Sequence, residues 1–292
     1  MELNLADLFE SLVDVIPDRL AVVAGDTRLS YRALDERANR LANALAARGV
    51  GKGDHVGLYL YNGVEFIEAV LAAFKLRAVP ININYRYVED ELAFLLKNAD
   101  CKVAVFSHDL APRVAAVKAK DGALPLLHTL VSVGGPMAGA VEYEDLLAGG
   151  SPERRFGPRS GDDLYIIYTG GTTGMPRGVM WRHEDVFYAG LQGGNPGGDP
   201  LSGAADLAPA VLAREGGGMI IFPAAPFIHG TSQWAAWIGF FTGGTVVVAP
   251  SRSYDAALTC RLIEAEKVTT LVLVGAPWRR PPGRAWSPSR PR

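Results

Sequence analysis

Between Tyr165 and Trp181 the chain reads YIIYTGGTTGMPRGVMW, and the ten residues from Thr169 to Gly178 hold four glycines and three threonines. Clustered glycines let backbone N–H groups converge on an anion, because no Cβ stands in the way and positive φ carries no strain. Threonine hydroxyls add donors for phosphate oxygens, or a ligand for a cation already bound to phosphate. Arg177 adds a positive charge. An apolar strand, this loop and a following helix would make a phosphate cradle in outline. The loop is not a P-loop, since Met175-Pro176 follows Gly174 where that motif needs Lys-Ser/Thr, and no Gly-x-Gly-x-x-Gly can be laid over it. On residue types alone, a flexible surface loop stands beside the cradle as an alternative.

Other reactive side chains are sparse. His229 sits in the apolar stretch APFIHGTSQW, where a lone histidine is ordinarily structural. Trp234 lies at helical spacing from Trp237 and Ile238, which fits a core aromatic. Histidines 55, 108, 128 and 183 form no metal-spaced pair, and RHED at 182–185 lacks the second histidine a metalloprotease box needs. Cys101 and Cys260 stand far apart in apolar surroundings and are expected to be buried free thiols in a reducing compartment. Of the 292 residues, 49% are hydrophobic and 21% charged, with a formal net charge of −2, so a globular core is expected and a basic field for nucleic acid is absent. The opening MELNLADLFE has no secretory pattern, and no stretch approaches the roughly 20 apolar residues of a membrane span. A cytoplasmic protein without nucleic-acid partners is expected.

The elements that must position the loop alternate along the chain. Leu5, Leu8, Phe9, Leu12 and Ile16 repeat at helical spacing, and LAVVAGDTRLSY reads as two strands turning at Gly25-Asp26. Ser30 is the expected cap of a helix with the stripe Leu34, Ala38, Leu41, Ala42 and Leu45, stopped by Gly49. Strands are expected at 55–61, 79–83 and 102–106, and helices at 64–76 and 88–97. Further alternation runs through HTLVSV, LYIIYT, GMIIF, GTVVVAP, DAALTCRLIEAEK and TTLVLVG. Such βαβ repetition predicts an α/β fold with largely parallel, helix-covered sheets, in which ligands bind where loops leave the C-terminal ends of strands. Residues 149–163 and 193–206 read as surface loops.

YTGGTTGMPRGV resembles the signature loop of the adenylate-forming superfamily, which contains acyl-CoA synthetases, peptide-synthetase adenylation domains and luciferases. That signature reads aromatic-Thr-Ser/Gly-Gly-Thr/Ser-Thr-Gly-x-Pro-Lys-Gly, and the chain departs from it only at Arg177. LSYRALDERANRLANAL (29–45), AFKLRAVPININYRY (73–87) and APFIHGTSQW (225–234) resemble the same family in the same order. The last two look most like actinobacterial acyl-CoA synthetases for fatty acids or sterol side chains.

The resemblance implies that ATP and a carboxylic acid give an acyl-adenylate and pyrophosphate, and that coenzyme A then displaces AMP. It implies that Thr169, Gly170, Gly171, Thr172, Thr173, Gly174, Arg177 and Gly178 grip the phosphates, with Thr172 contacting Mg²⁺ through ATP. Arg177 keeps the charge of the usual lysine, though a rigid fork is not equivalent to a point charge. His229 is implied as a catalytic, substrate-orienting residue, with Gly230 and Trp234 beside it at the acyl pocket. The family also allows a homodimer and a peripheral place at a membrane surface.

The family's later motifs, a Tyr-Gly-x-Thr-Glu segment, a ribose-binding aspartate, a hinge and an adenylation lysine, are not found in these 292 residues. Residues 1–275 are therefore expected to be a partial N-terminal AMP-binding domain. Residues 276–292, with five prolines and five arginines in seventeen, read as an aberrant and disordered tail. A frameshift is the preferred origin of that tail, and a polyproline interaction segment is the alternative. Poor solubility of the chain alone is expected, from an edge left without its cover. Two functions stay open: the synthetase reaction, for which this truncated chain is expected to be inactive alone, and a non-catalytic nucleotide- or acyl-binding remnant. A nicotinamide-dependent oxidoreductase is a more distant third, disfavoured by the missing Gly-x-Gly-x-x-Gly.

Overall fold

A computed structural model describes residues 2–120, 124–170, 176–249 and 251–274. Residues 171–174 of the glycine loop and the 276–292 tail lie outside the described residues.

Asn4 opens the first helix by accepting the Ala6 N–H, one of the donors that a helix start leaves free. This helix, α1 (Leu5–Val15), buries Leu5, Leu8, Phe9 and Leu12. Gly25, at φ 59, turns β1 (Leu20–Ala24) back onto β2 (Thr27–Ser30). Ser30 caps α2 (Tyr31–Ala46) by accepting from Ala33 N, and the whole expected stripe from Leu34 to Leu45 is buried. The chain continues through β3 (His55–Tyr59), α3 (Val64–Lys75), β4 (Val79–Asn82), α4 (Glu89–Asn98) and β5 (Cys101–Ser107). Next come α5 (Ala111–Lys118), β6 (Thr129–Val133), β7 (Val141–Glu142) and α6 (Tyr143–Ala148). Neither α5 nor α6 was marked by the apolar pattern, because both are short and α5 is alanine-rich with Pro112 in its first turn.

The glycine loop departs from β8 (Leu164–Thr169) and returns in β9 (Arg177–Arg182), which pairs antiparallel with β8. This corrects the expected strand-loop-helix order. Val179 and Trp181 favour extended structure, and six consecutive register pairs from Leu164/Arg182 to Thr169/Arg177 hold the strand in place. The remaining elements are a single turn α7 (His183–Asp185), α8 (Leu207–Ala213), β10 (Ile220–Pro223), α9 (Gly230–Phe241), β11 (Thr245–Val248), α10 (Ala256–Ala265) and β12 (Thr270–Val272).

Two sheets result, one of five strands in the order β12-β10-β11-β1-β2 and one of seven in the order β7-β6-β5-β3-β4-β8-β9. Every pairing is parallel except the hairpins β1/β2 and β8/β9. Side chains of the larger sheet alternate between two cores, as a pleat demands. Val56, Leu58, Val103, Val105, Tyr165 and Ile167 meet α1, α2, α3 and α9 on one face. Tyr59, Ile81, Ala104, Phe106 and Ile166 meet α4 and α5 on the other. Phe9, Tyr31, Trp237 and Phe240 cluster in the first core, with Phe9 stacked on Tyr31 at 5.5 Å. The Tyr31 hydroxyl donates to the carbonyls of Phe240 and Gly244, which ties α2 to the end of α9.

Charges enter this core in pairs. Lys75 is wholly buried and donates to Glu10 at 2.5 Å and to Asp35 at 2.7 Å. Burial raises the pKa of both carboxyls, but Lys75, with Arg159 at Glu10 and Arg154 at Asp35, outweighs it and holds both below their usual values. Arg154, Arg159 and Asp163, which pairs with Arg77, pin the 149–163 loop to α1, α2 and the end of α3. Cys101 is buried as expected, and burial pushes its thiol pKa up. Cys260 corrects the expectation, being exposed on α10, a surface helix in which only Thr259 is buried. No helix among the described residues is long and apolar enough to cross a membrane.

Candidate functional site

Strands β4 and β8 are neighbours and parallel, so their C-terminal ends open on the same side of the sheet. Thr169 and Gly170, where the chain leaves β8, are both exposed there. The segment Ala225–Ile228 crosses beside them and delivers His229 to the N-cap position of α9. Gly230 allows this approach, since a Cβ on it would stand 3.2 Å from the Ile167 side chain. Between the two segments lies a cleft of about 330 Å³ lined by Asn82, Tyr168, Thr169, Gly170, His229 and Gly230, among others.

A second cleft, of about 260 Å³, shares His229 and is bordered by Tyr85, Arg86, Arg252 and Tyr254. His229 is thus the residue at which the two clefts meet. Enclosure by their walls and then the charge of Arg86 lower the imidazole pKa. A neutral ring at pH 7 can accept a hydrogen bond as well as donate one.

Three polar side chains hold the crossing segment. Asn62, after β3, donates to Ala225 O at 3.2 Å and accepts from Phe227 N at 2.8 Å. Gln233 of α9 donates to Phe227 O at 2.6 Å and accepts from the Tyr165 hydroxyl at 2.5 Å. Asn82, at the end of β4, bonds both to Tyr168 and to Ile228. None of the three was singled out from the sequence. Asparagine at the end of an otherwise apolar strand was the available signal, because it is disfavoured there.

The expected site residues divide in four. Thr169, Gly170, His229 and Gly230 share one cleft. Arg177 and Gly178 lie in β9, both exposed, with Arg177 opposite Thr169 and Gly178 opposite Tyr168. A Cβ at Gly178 would stand 2.8 Å from the Tyr168 ring, so this glycine makes room for that ring. Trp234 leans on Trp181, with ring centroids 5.4 Å apart, and on Gly190, while Trp237 enters the core instead. Gly171, Thr172, Thr173 and Gly174 lie outside the described residues.

An apolar crevice between α3 and α9, lined by Phe66, Val70, Phe227 and Trp237, has a free volume of only about 10 Å³. Among the described residues no group of three His, Cys, Asp or Glu side chains could hold a metal ion.

A cleft at the open end of a largely parallel sheet, between the end of β8 and the N-terminus of α9, defines an α/β protein with a candidate site at its strand ends. The chain belongs to the AMP-binding enzyme family, which matches residues 9–280. A medium/long-chain-fatty-acid–CoA/3-oxocholest-4-en-26-oate–CoA ligase of Mycobacterium marinum is 44% identical over 291 residues, covering 96% of this chain and 52% of its own length. A 3-oxocholest-4-en-26-oate–CoA ligase of Rhodococcus rhodochrous is 41% identical, covering 96% and 51%. The chain thus spans about half the length of these relatives.

Among solved structures, the anthranilate CoA ligase AuaEII in complex with anthranoyl-AMP superposes with a TM-score of 0.80 at 22% identity, over 92% of this chain and 49% of that one. The N-terminal domain of FACL13 from Mycobacterium tuberculosis superposes with a TM-score of 0.77 at 26% identity, over 93% and 62%.

Proposed function

We propose that this chain carries the phosphate- and acid-gripping part of an acyl-CoA synthetase. The reaction is ATP-dependent activation of a fatty or sterol-side-chain carboxylic acid to its adenylate, followed by thioester formation with coenzyme A. The observation that carries this reading is the single cleft that places Thr169 and Gly170 beside His229 and Gly230.

In adenylyl transfer to the acid, a carboxylate oxygen attacks the α-phosphorus of ATP and pyrophosphate leaves. The loop from Thr169 to Gly178 supplies backbone donors, threonine hydroxyls and the Arg177 cation where the leaving group gathers charge. Arg177 begins the strand opposite Thr169, so the two ends of the loop are held together by the hairpin. Mg²⁺, which Thr172 would help to hold through ATP, would neutralise part of that charge. His229 orients the acid from the other wall, and the N-terminus of α9 behind it favours the carboxylate. Trp234 walls the acyl side from its place on Trp181. In this reading residues 1–275 are a partial N-terminal AMP-binding domain, with 276–292 outside it.

The test is pyrophosphate release by the 292-residue chain, given ATP, Mg²⁺ and a panel of fatty and sterol-derived acids, beside a Thr172→Ala, Arg177→Ala double variant. Acid-dependent release that the variant loses would support this reading. ATP binding without release would instead support a nucleotide-binding unit without turnover, and no ATP binding would overturn both readings.

A further inference from the structure

We infer that Asn82 is a positioning residue that fixes the root of the phosphate loop to the segment carrying His229, so that an event at one is felt at the other. The inference rests on the nucleotide-binding reading above and concerns a residue outside the glycine loop.

Backbone pairing between β4 and β8 is confined to Ile81 and Ile166, and Ile83 already donates back to Leu58 of β3. At Tyr168, just before the loop, β8 lacks a backbone partner from β4. The Asn82 carboxamide takes that place. Its Oδ1 accepts the Tyr168 N–H at 2.7 Å, and its Nδ2 donates to the Tyr168 carbonyl at 2.8 Å, as a peptide group on a neighbouring strand would do. The second hydrogen of Nδ2 goes to the Ile228 carbonyl at 2.6 Å. Asn82 is 4% exposed, and the two amide hydrogens and the oxygen are all used. One side chain therefore spans the residue before Thr169 and the residue before His229.

The chemistry selects asparagine. An aspartate of the same size could accept from Tyr168 N but would turn a charged oxygen toward two carbonyls. Alanine would leave one N–H and two carbonyls unpaired in a buried place. Asn62 reaches the same crossing segment from the end of β3, and among the described residues its side-chain hydrogen bonds go to Ala225 and Phe227 rather than to β8. It is the internal control, since it supports the segment without linking it to the loop.

Hydrogen exchange of the full 292-residue chain, with and without ATP and Mg²⁺, tests the inference. In the wild type, ATP is expected to slow exchange both at residues 164–170 and at 226–230. Because Asn82 lines the cleft, Asn82→Ala and the wild type are compared at ATP concentrations that give equal occupancy. Protection at 226–230 is nevertheless lost, and the Tyr168 amide exchanges about tenfold faster without ligand, as befits a lost hydrogen bond. Asn82→Asp, which leaves no cavity, gives the same loss of coupling, whereas Asn62→Ala retains it. Undiminished ATP protection at 226–230 in both Asn82 variants would overturn the inference, as would equal loss in Asn62→Ala. Absence of ATP protection in the wild type would overturn the nucleotide-binding reading itself, and the inference with it.

Discussion

His229 shows how much of a side chain's chemistry is set by neighbours remote in sequence. Arg86 lies on the loop after β4, 143 positions earlier, yet its charge adds to burial in lowering the imidazole pKa. Replacing Arg86 with Gln removes a repulsion felt only by the protonated ring. The His229 pKa is therefore expected to rise toward its ordinary value, as read by NMR titration of the ring protons; an unmoved titration would mean that burial acts alone. The motif APFIHGTSQW made His229 a candidate, but no local pattern pointed to Arg86. Gly178 is a similar case. It was expected only as a loop residue, and the hairpin gives it a packing task against Tyr168 as well.

Secondary elements were legible where one face is apolar and a cap is present. Ser30 and the stripe of α2, the Gly25 turn and the apolar strands β3, β5 and β11 all follow from short-range rules. The return of the glycine loop as a strand was not legible, because its partner β8 and the Tyr168 ring decide it. Nor was the role of Lys75, which reads as an ordinary basic end to α3 but enters the core between Glu10 and Asp35. Lys75→Met leaves the enclosed Glu10 and Asp35 carboxylates without the cation they share. A loss of about 3 kcal/mol in urea unfolding is expected, below the cost of a wholly uncompensated charge because Arg154 and Arg159 remain. A loss under about 1 kcal/mol would show that those arginines suffice, as for exposed pairs.

The molecule as a whole joins residues far apart in the chain around a histidine that takes no part in the candidate site. His183, buried after β9, accepts the Leu5 N–H on Nδ1 and packs edge-on to Phe74. Burial lowers its pKa to about 4. The unfolded chain, with a histidine pKa of about 6.5, binds a proton that the folded chain refuses between these values, so stability falls as pH drops through that window. Between pH 7 and 5 the wild type is expected to lose about 2 kcal/mol more than His183→Gln, which can still accept from Leu5. Parallel slopes for the two proteins in urea titrations would refute this assignment.

Sequence alone determined the things that depend on nearest neighbours along the chain: caps, turns, apolar periodicity, and a glycine-threonine loop whose small side chains suit an anion. It also carried enough ordered motif to identify the superfamily. Tertiary structure alone decided which ends share a cleft, that Asn82 stands in for a missing backbone partner, and that Lys75 and His183 lie in the core. The physical reason is common to these cases. Hydrogen bonds and burial are satisfied by groups that meet through strand order, and strand order places β4 beside β8 and β1 beside β11 regardless of their separation in the chain.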